Sequence, residues 1–389
     1  MPVFLLEGKM IYMDNAASTR LSGRALKAMT PFLTEFYANP AAGYGFSEIS
    51  REAVAKAREQ IAGCINANPK EIFFTSGGTE SDNWALRGIA YTHQSKGKHL
   101  IVSAIEHHAV MNTARALEKD GWNLTILPVD EEGFVDPENL EAAIRPDTVL
   151  VSVMAANNEI GTIEPLAAIG EICHRHGVLF HTDAVQAFGH IPLDVQRLHI
   201  DLLSASAHKF HGPKGVGFLY IRKGVDIEPL LYGGDQERGQ RSGTLNVPGI
   251  VGMGAAAEEA AGHLVSAARR EATLRDYLAD SILSEAKGAR FTGARYNRLP
   301  GHASFVFDGI DGESLLQVLN ARGICASAGS ACSTDSEEPS YVLEAIGVPP
   351  RNLHSSLRLT ISDVTTEAEI EAVIDAVKDG VACLRGAGK

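Results

Sequence analysis

No run of apolar residues in this 389-residue chain approaches the ~18 that a membrane-crossing helix needs, so no span is expected. No Cys-x-x-Cys pair occurs either. The five cysteines, Cys64, Cys173, Cys325, Cys332 and Cys383, are scattered and odd in number. That pattern argues against a disulfide framework and leaves a structural zinc site without support; no metal is expected. Each cysteine is then either a small buried hydrophobe or a reactive thiol. Positive charge is scarce, with 35 Lys and Arg against 48 Asp and Glu, a formal charge of −13. Nonspecific binding to nucleic acid or to an anionic membrane surface is disfavoured by that balance. The opening MPVFLLEGKMIYMDNAAS has a brief apolar patch without a basic stretch or a small-residue cleavage site. No signal peptide is expected, and the chain reads as cytoplasmic. Internal repeats and low-complexity linkers are missing as well.

What is present is an ordinary globular composition, 45% hydrophobic and 21% charged, in a chain long enough for two lobes. From about residue 70 to 222, short runs rich in β-formers alternate with helical stretches. EIFFTS (71–76), HLIVS (99–103), NLTILPV (123–129), TVLVSVM (148–154), GVLFHTD (177–183), DLLSAS (201–206) and VGFLYI (216–221) read as strands. Such alternation implies an α/β fold with a mostly parallel sheet covered on both faces. The alanine-rich stretch over 252–286 reads as one long helix or two bridging the lobes. The C-terminal third, with strands at HASFVFDG and SSLRLTIS, fits a smaller α+β lobe. The expected division is a large domain over 15–258 and a small one made of 1–14 with 259–389.

In open parallel sheets, chemistry gathers beyond the carboxyl ends of the strands. Gly77-Gly78-Thr79 follows the first strand and opens a helix, His107 follows the second, and Asn157-Asn158 follows the fourth. Asp183 ends the fifth, with Gln186 just beyond. Ser206, His208 and Lys209 follow the sixth. A Gly-Gly-Thr turn into a helix offers free N–H groups to a phosphate, although it equally suits a plain capped turn. It is neither a Walker A loop nor a G-x-G-x-x-G dinucleotide fingerprint. Asp183 at a buried strand end needs a cationic partner or a solvated loop around it. His107 is either a satisfied core histidine or a flat ring for stacking. Lys209 sits between two histidines ahead of a glycine-rich turn, company a surface lysine does not need. Together these groups describe a pocket for pyridoxal 5'-phosphate, with the lysine forming a Schiff base and the aspartate keeping the ring nitrogen protonated.

MDNAAST, TSGGTESDN, NNEIG, HTDAVQ, SAHKFHGPKGVG, RSGTLN and GSACSTDSEEPSYVLEAIG together resemble the cysteine desulfurases of aminotransferase class V, closest to the NifS/IscS type. The likeness runs from about residue 11 to 375, with its motifs in family order. It implies the pyridoxal phosphate-dependent fold-type I architecture and a homodimer. Carried over by position, Lys209 is the Schiff-base lysine, Asp183 the pyridinium partner, and His107 the stacking ring that assists proton transfer. Gly78, Thr79, Ser206 and His208 hold the phosphate, and Thr244 reaches it from the other subunit. Gln186 faces the ring hydroxyl, Asn158 contacts substrate or ring, and Arg358 clamps the substrate carboxylate. Cys332 lies in a Gly-, Ala- and Ser-rich stretch that reads as a mobile loop rather than core. The resemblance makes it the nucleophile that takes sulfur from L-cysteine as a persulfide, leaving L-alanine. Its partners would be sulfur-acceptor proteins, such as an iron–sulfur scaffold or a thiolation relay protein. Within the same chemistry, a selenocysteine lyase would also keep Cys332, whereas a class V aminotransferase has no need of it. The chain departs from the family at NPAAGYGFS, where Ala41, Ala42 and Tyr44 replace a serine pair and a histidine.

Overall fold

Runs of four or five β-branched, leucine and aromatic residues form a seven-stranded sheet in the computed structural model, which describes residues 10–329 and 339–387. In chain order the strands are β2 (Ile72–Thr75), β3 (His99–Ser103), β4 (Asn123–Leu127), β5 (Thr148–Ser152), β6 (Leu179–Asp183), β7 (Leu202–Ser206) and β8 (Gly217–Ile221). Across the sheet they lie in the order β2-β8-β7-β6-β5-β3-β4. All run parallel except β8, which pairs antiparallel with both β7 and β2. The ten residues between β7 and β8 are too few for a crossover helix, so the chain must turn back on itself. β3, β5, β7 and β8 are buried along their whole length. That burial explains why they read as nearly unbroken apolar runs.

Helices cover both faces. α1 (Gly23–Thr34), α2 (Phe46–Cys64) and the first part of α7 (Val247–Glu285) share a core with Ile101, Val151 and Phe180. On the opposite face, α3 (Gly78–His93) and α4 (His108–Lys119) pack Trp84, Ile89, Val110 and Leu117 against Leu100, Val102 and Leu150. Two neighbours along β3, Ile101 and Val102, therefore feed different cores, as the two-residue strand period requires. Between the strands α5 (Pro137–Ala143) and α6 (Leu166–His176) complete the layers. α6 stops at Gly177, whose φ of +64° places it in the left-handed region that glycine enters at no steric cost.

The expected bridging helix is single. α7 runs unbroken for 39 residues, roughly 58 Å at 1.5 Å per residue. Its second part contributes Leu274, Leu278 and Ile282 to a separate core. That core also takes Met13 and the inner faces of β10 (His302–Phe307), β12 (Ser356–Thr360), α8 (Gly312–Ala321) and α10 (Glu367–Ala387). Here β9 (Ala289–Phe291), β10 and β12 form an antiparallel sheet in the order β12-β10-β9. β1 (Ile11–Tyr12) pairs with β11 (Ile324–Cys325) nearby, and α9 (Tyr341–Ala345) is a short helix between β11 and β12 in the chain. Among the described residues, no helix is long and apolar enough to cross a membrane.

Candidate active site

The strand ends converge on a cavity of about 240 Å³. Gly78, Thr79, His107, Asn158, Asp183, Gln186, Ser206, His208, Lys209 and Arg358 all line it, so one sheet edge and one strand of the smaller sheet bring these ten residues together. Thr244 is not among the lining residues; it is exposed in the segment ahead of α7. Cys332 lies outside the described residues. Residues described before and after it in the chain, Gly329 and Tyr341, both line the cavity.

Lys209 follows β7 in a single tight turn over 207–209. Its Nζ donates to the carbonyls of Ala16 (2.5 Å) and Ala17 (3.0 Å). Gln186 Nε2 donates to the same Ala16 carbonyl at 2.9 Å. The strip 16–17 is itself pinned from the smaller sheet, since Ala16 N–H donates to Thr360 Oγ1 at 2.9 Å. Asp183 is 4% exposed at the end of β6, and Oδ1 accepts the Val185 N–H at 2.9 Å. Burial raises its pKa above the usual carboxylate range, with His107 and Lys209 partly opposing the rise.

His107 caps α4: its Nδ1 accepts from the Ala109 N–H at 3.1 Å. The ring proton therefore sits on Nε2 in the neutral form. Burial lowers its pKa, as does Lys209, while Asp183 works the other way. His208 is held neutral too, burial pulling it down to about 4 with help from Lys209 and Lys214.

α3 begins at the cavity without a side-chain cap, which leaves first-turn N–H groups free for an anion. Gly78 itself has no room for a side chain: a Cβ there would lie 2.5 Å from Val185 Cγ2. Glu80 in the same turn is neutralised by a two-point ion pair with Arg241, at 2.7 and 3.0 Å. The negative charge there does not spoil an anion site.

Arg358 is 2% exposed on β12. Nη2 bonds Asp14 Oδ1 at 2.8 Å, and Nη1 donates to the carbonyls of Asn158 and Gly329, each at 2.7 Å. Its Nε has no partner among the described residues.

Several functional neighbours escaped the reading of the sequence. Asp82, 1% exposed on α3, sets its carboxylate beside those of Asp183 and the His107 ring, their ligand-type atoms all within 4.8 Å of one another. Burial, then Asp183, raises its pKa well above the usual range, with Ser204 opposing the rise; its Oδ1 accepts no hydrogen bond among the described residues and lies 3.6 Å from His181 Nε2. Asp82 shares an apolar stripe with Ala85, Leu86 and Ile89; an acid at a core position of a helical pattern was the available signal. Asp14, half-buried against Arg358, gave no such signal, because its partner is distant in sequence. Tyr341, whose OH donates to the Glu106 carbonyl, stands edge-on to His108 at 5.0 Å. Ala41, Ala42 and Tyr44 do not line the cavity. Of the described cysteines, Cys173 is buried, Cys64 and Cys325 are half-buried, and Cys383 is exposed rather than packed.

Residues 11–373 match the aminotransferase class-V family. The chain is 50% identical to the cysteine desulfurase IscS of Methanosarcina thermophila over 97% of its own length and 94% of that protein. It is 49% identical to the cysteine desulfurase IscS of Clostridium botulinum strain Hall over 95% and 94%. Among solved structures, a NifS-like protein superposes with a TM-score of 0.91 at 40% identity, covering 97% of this chain and all of that one. A structure described as SspA in complex with cysteine gives 0.81 at 35% identity, over 92% and 100%.

Proposed function

Because the chain belongs to the aminotransferase class-V family, we infer that this cavity is the site of a pyridoxal phosphate-dependent cysteine desulfurase of fold-type I. It converts L-cysteine to L-alanine and keeps the sulfur as a persulfide on Cys332. The observation that carries the reading is the convergence on one sheet edge of Lys209, buried Asp183 and an uncapped helix start at Gly78.

The residues fit the cofactor. Asp183 and Asp82 are buried acids facing a cavity, and a cation such as a ring N–H⁺ relieves the cost of their charge. The uncapped first turn of α3, opening onto the cavity at Gly78 and Thr79, offers its N–H groups to a phosphate. Lys209 would hold the cofactor covalently and Asp183 its ring nitrogen. Gly78, Thr79, Ser206 and His208 would hold the phosphate, and Gln186 the ring hydroxyl. Thr244, exposed in a single chain, would reach the phosphate from the second subunit of a homodimer. A run of exposed apolar side chains, Leu33, Tyr37, Tyr44, Phe46 and Ile49, is a surface such a homodimer would cover. When bound, the cofactor supplies the electron sink that acidifies the substrate Cα–H.

The chain's own groups do the rest. Arg358 takes the substrate carboxylate, with Asn158 beside it. Lys209 Nζ, as a neutral amine, accepts the Cα proton and returns it. His107, neutral with its proton on Nε2, can pass that proton without first losing a charge. The Cys332 thiolate forms the S–S bond as the Cβ–S bond of the substrate breaks. Acceptor proteins for iron–sulfur assembly or thiolation would then take the sulfur, in the cytoplasm. The two folding units are residues 15–258 and 1–14 with 259–389; two separate apolar cores, with Met13 in the second, support that division.

Incubating the protein with L-cysteine and a reductant should give alanine and sulfide in equal yield. Cys332→Ala should retain the cofactor absorbance and form no alanine. Normal turnover by that variant would sink the persulfide assignment.

A further inference from the structure

A second cavity, of about 400 Å³, runs along the middle of α7 between the two cores. Ala256, Glu259, Ala260, His263, Ala267 and Glu271 of α7 all face it. This is a single helix face at spacings of three and four residues. Glu259 and Glu271 stand near its two ends, roughly 18 Å apart along the helix axis at 1.5 Å per residue. Between them the wall is mostly apolar, alanines facing Leu21 and Phe210 from the other side.

Both acids want a cation. Glu271 is only 5% exposed, and among the described residues nothing donates a hydrogen bond to it or pairs with it. Glu259 is half-buried, but its Oε2 is enclosed and accepts no hydrogen bond among the described residues. Burial, with Asp363 adding to it and Arg270 partly opposing, pushes the Glu271 carboxyl up to about 8. The bases in the cavity do not answer this demand. His190 is held neutral by burial and bonds the Lys209 carbonyl at 2.9 Å. His211 faces Asp363 at 3.5 Å, and Arg20 and His263 are exposed.

We propose that this cavity binds a linear aliphatic dication or polycation, one cationic nitrogen at Glu259, another at Glu271, and its hydrocarbon body along the alanine face of α7. The site is separate from the catalytic cavity, and its ligand is bound rather than turned over. A buried acid and a half-buried one, with an apolar corridor between them, select a molecule charged at both ends and greasy between.

Calorimetric titration of the cofactor-loaded enzyme with decamethonium tests this directly. Its two quaternary nitrogens are joined by a ten-carbon chain and cannot form an imine with the cofactor. Saturable binding is expected, with decyltrimethylammonium, charged at one end only, binding about tenfold or more weakly. Glu271→Gln and Glu259→Gln should each cost decamethonium about the same factor. Ala267→Leu, which narrows the corridor and keeps both charges, should abolish binding and carries the test if an acid variant fails to fold. Absence of saturable binding, equal affinity for the two probes, or unchanged affinity in Ala267→Leu would overturn the proposal. None of these readouts depends on desulfurase turnover, so they fail or succeed independently of the catalytic assignment.

Discussion

The floor and the wall of the catalytic cavity solve opposite electrostatic problems. The floor, built by the parallel sheet and its helices, collects buried acids: Asp82 with an oxygen that accepts no hydrogen bond among the described residues, and Asp183 with one backbone donor. The wall, built by β12 and residue 14, buries a cation, Arg358, which already has Asp14 and two carbonyls. An acid left short of partners in a low-dielectric site is poised for an incoming positive charge. An arginine with three of its five N–H groups already bonded can take a carboxylate through Nε and the second Nη2 N–H, or by exchanging partners. The floor thus gains by loading with cofactor, whereas the wall discriminates among substrates at little gain.

The largest effect that contrast predicts is at the floor. Lys209→Ala should lower the rate of alanine formation by roughly 10³-fold, because the proton carrier and the anchor go together. A loss below tenfold would move the chemistry away from the strand ends. At the wall, Arg358→Lys should raise the KM for L-cysteine about tenfold to a hundredfold with a smaller change in kcat, since a forked donor becomes a point charge. A kcat loss with KM unchanged would mean that Arg358 acts on the reacting bonds instead. Gly78→Ala should weaken cofactor binding about tenfold while leaving the fold intact, the methyl having to displace the Val185 side chain. Unchanged affinity on titrating the apoprotein would remove the phosphate from that turn.

The smallest effect concerns a buried acid outside the cavity. Glu164 accepts the Val135 N–H at 2.9 Å, and burial pushes its carboxyl up to about 8 from an ordinary 4.5. Its folded form holds the proton more tightly than the unfolded chain. Its contribution to stability is therefore full below about pH 4.5 and is lost as pH rises through 8. Glu164→Gln should leave stability unchanged at pH 4 and add roughly 1–2 kcal/mol at pH 8.5. Denaturant titrations at the two pH values check the sign; a stabilisation at acid pH only would contradict it.

Much of the floor was legible because its residues follow strands. Ser206, Lys209, Asp183 and His107 each come within a few residues of a β-rich run, and parallel sheets present those ends along one edge. The strands themselves were readable to within one or two residues, HLIVS becoming β3 without change. The antiparallel course of β8 was also implicit in the short connection from β7. Asp82 was the missed chance, an acid in an apolar helical stripe. The wall was not legible in the same way. Arg358 entered through a family likeness alone, and Asp14, which holds it, lies 344 residues away in the chain. Nor does any local pattern mark the second cavity, whose lining on α7 mixes alanines with Glu259, His263 and Glu271 and gains meaning once other segments close over it.

The sequence by itself determined the local events: which runs become strands, where helices start at glycine turns, and which side chains stand at strand ends. Periodicity, capping and β-propensity act over a few residues, and they need no partner to be read. Only the tertiary structure decided which buried acids lack a cation, which arginine is already paired, and where a single 39-residue helix leaves space between two cores. Those are properties of desolvation and packing. They exist once distant segments have excluded water together, and no stretch of the chain carries them alone.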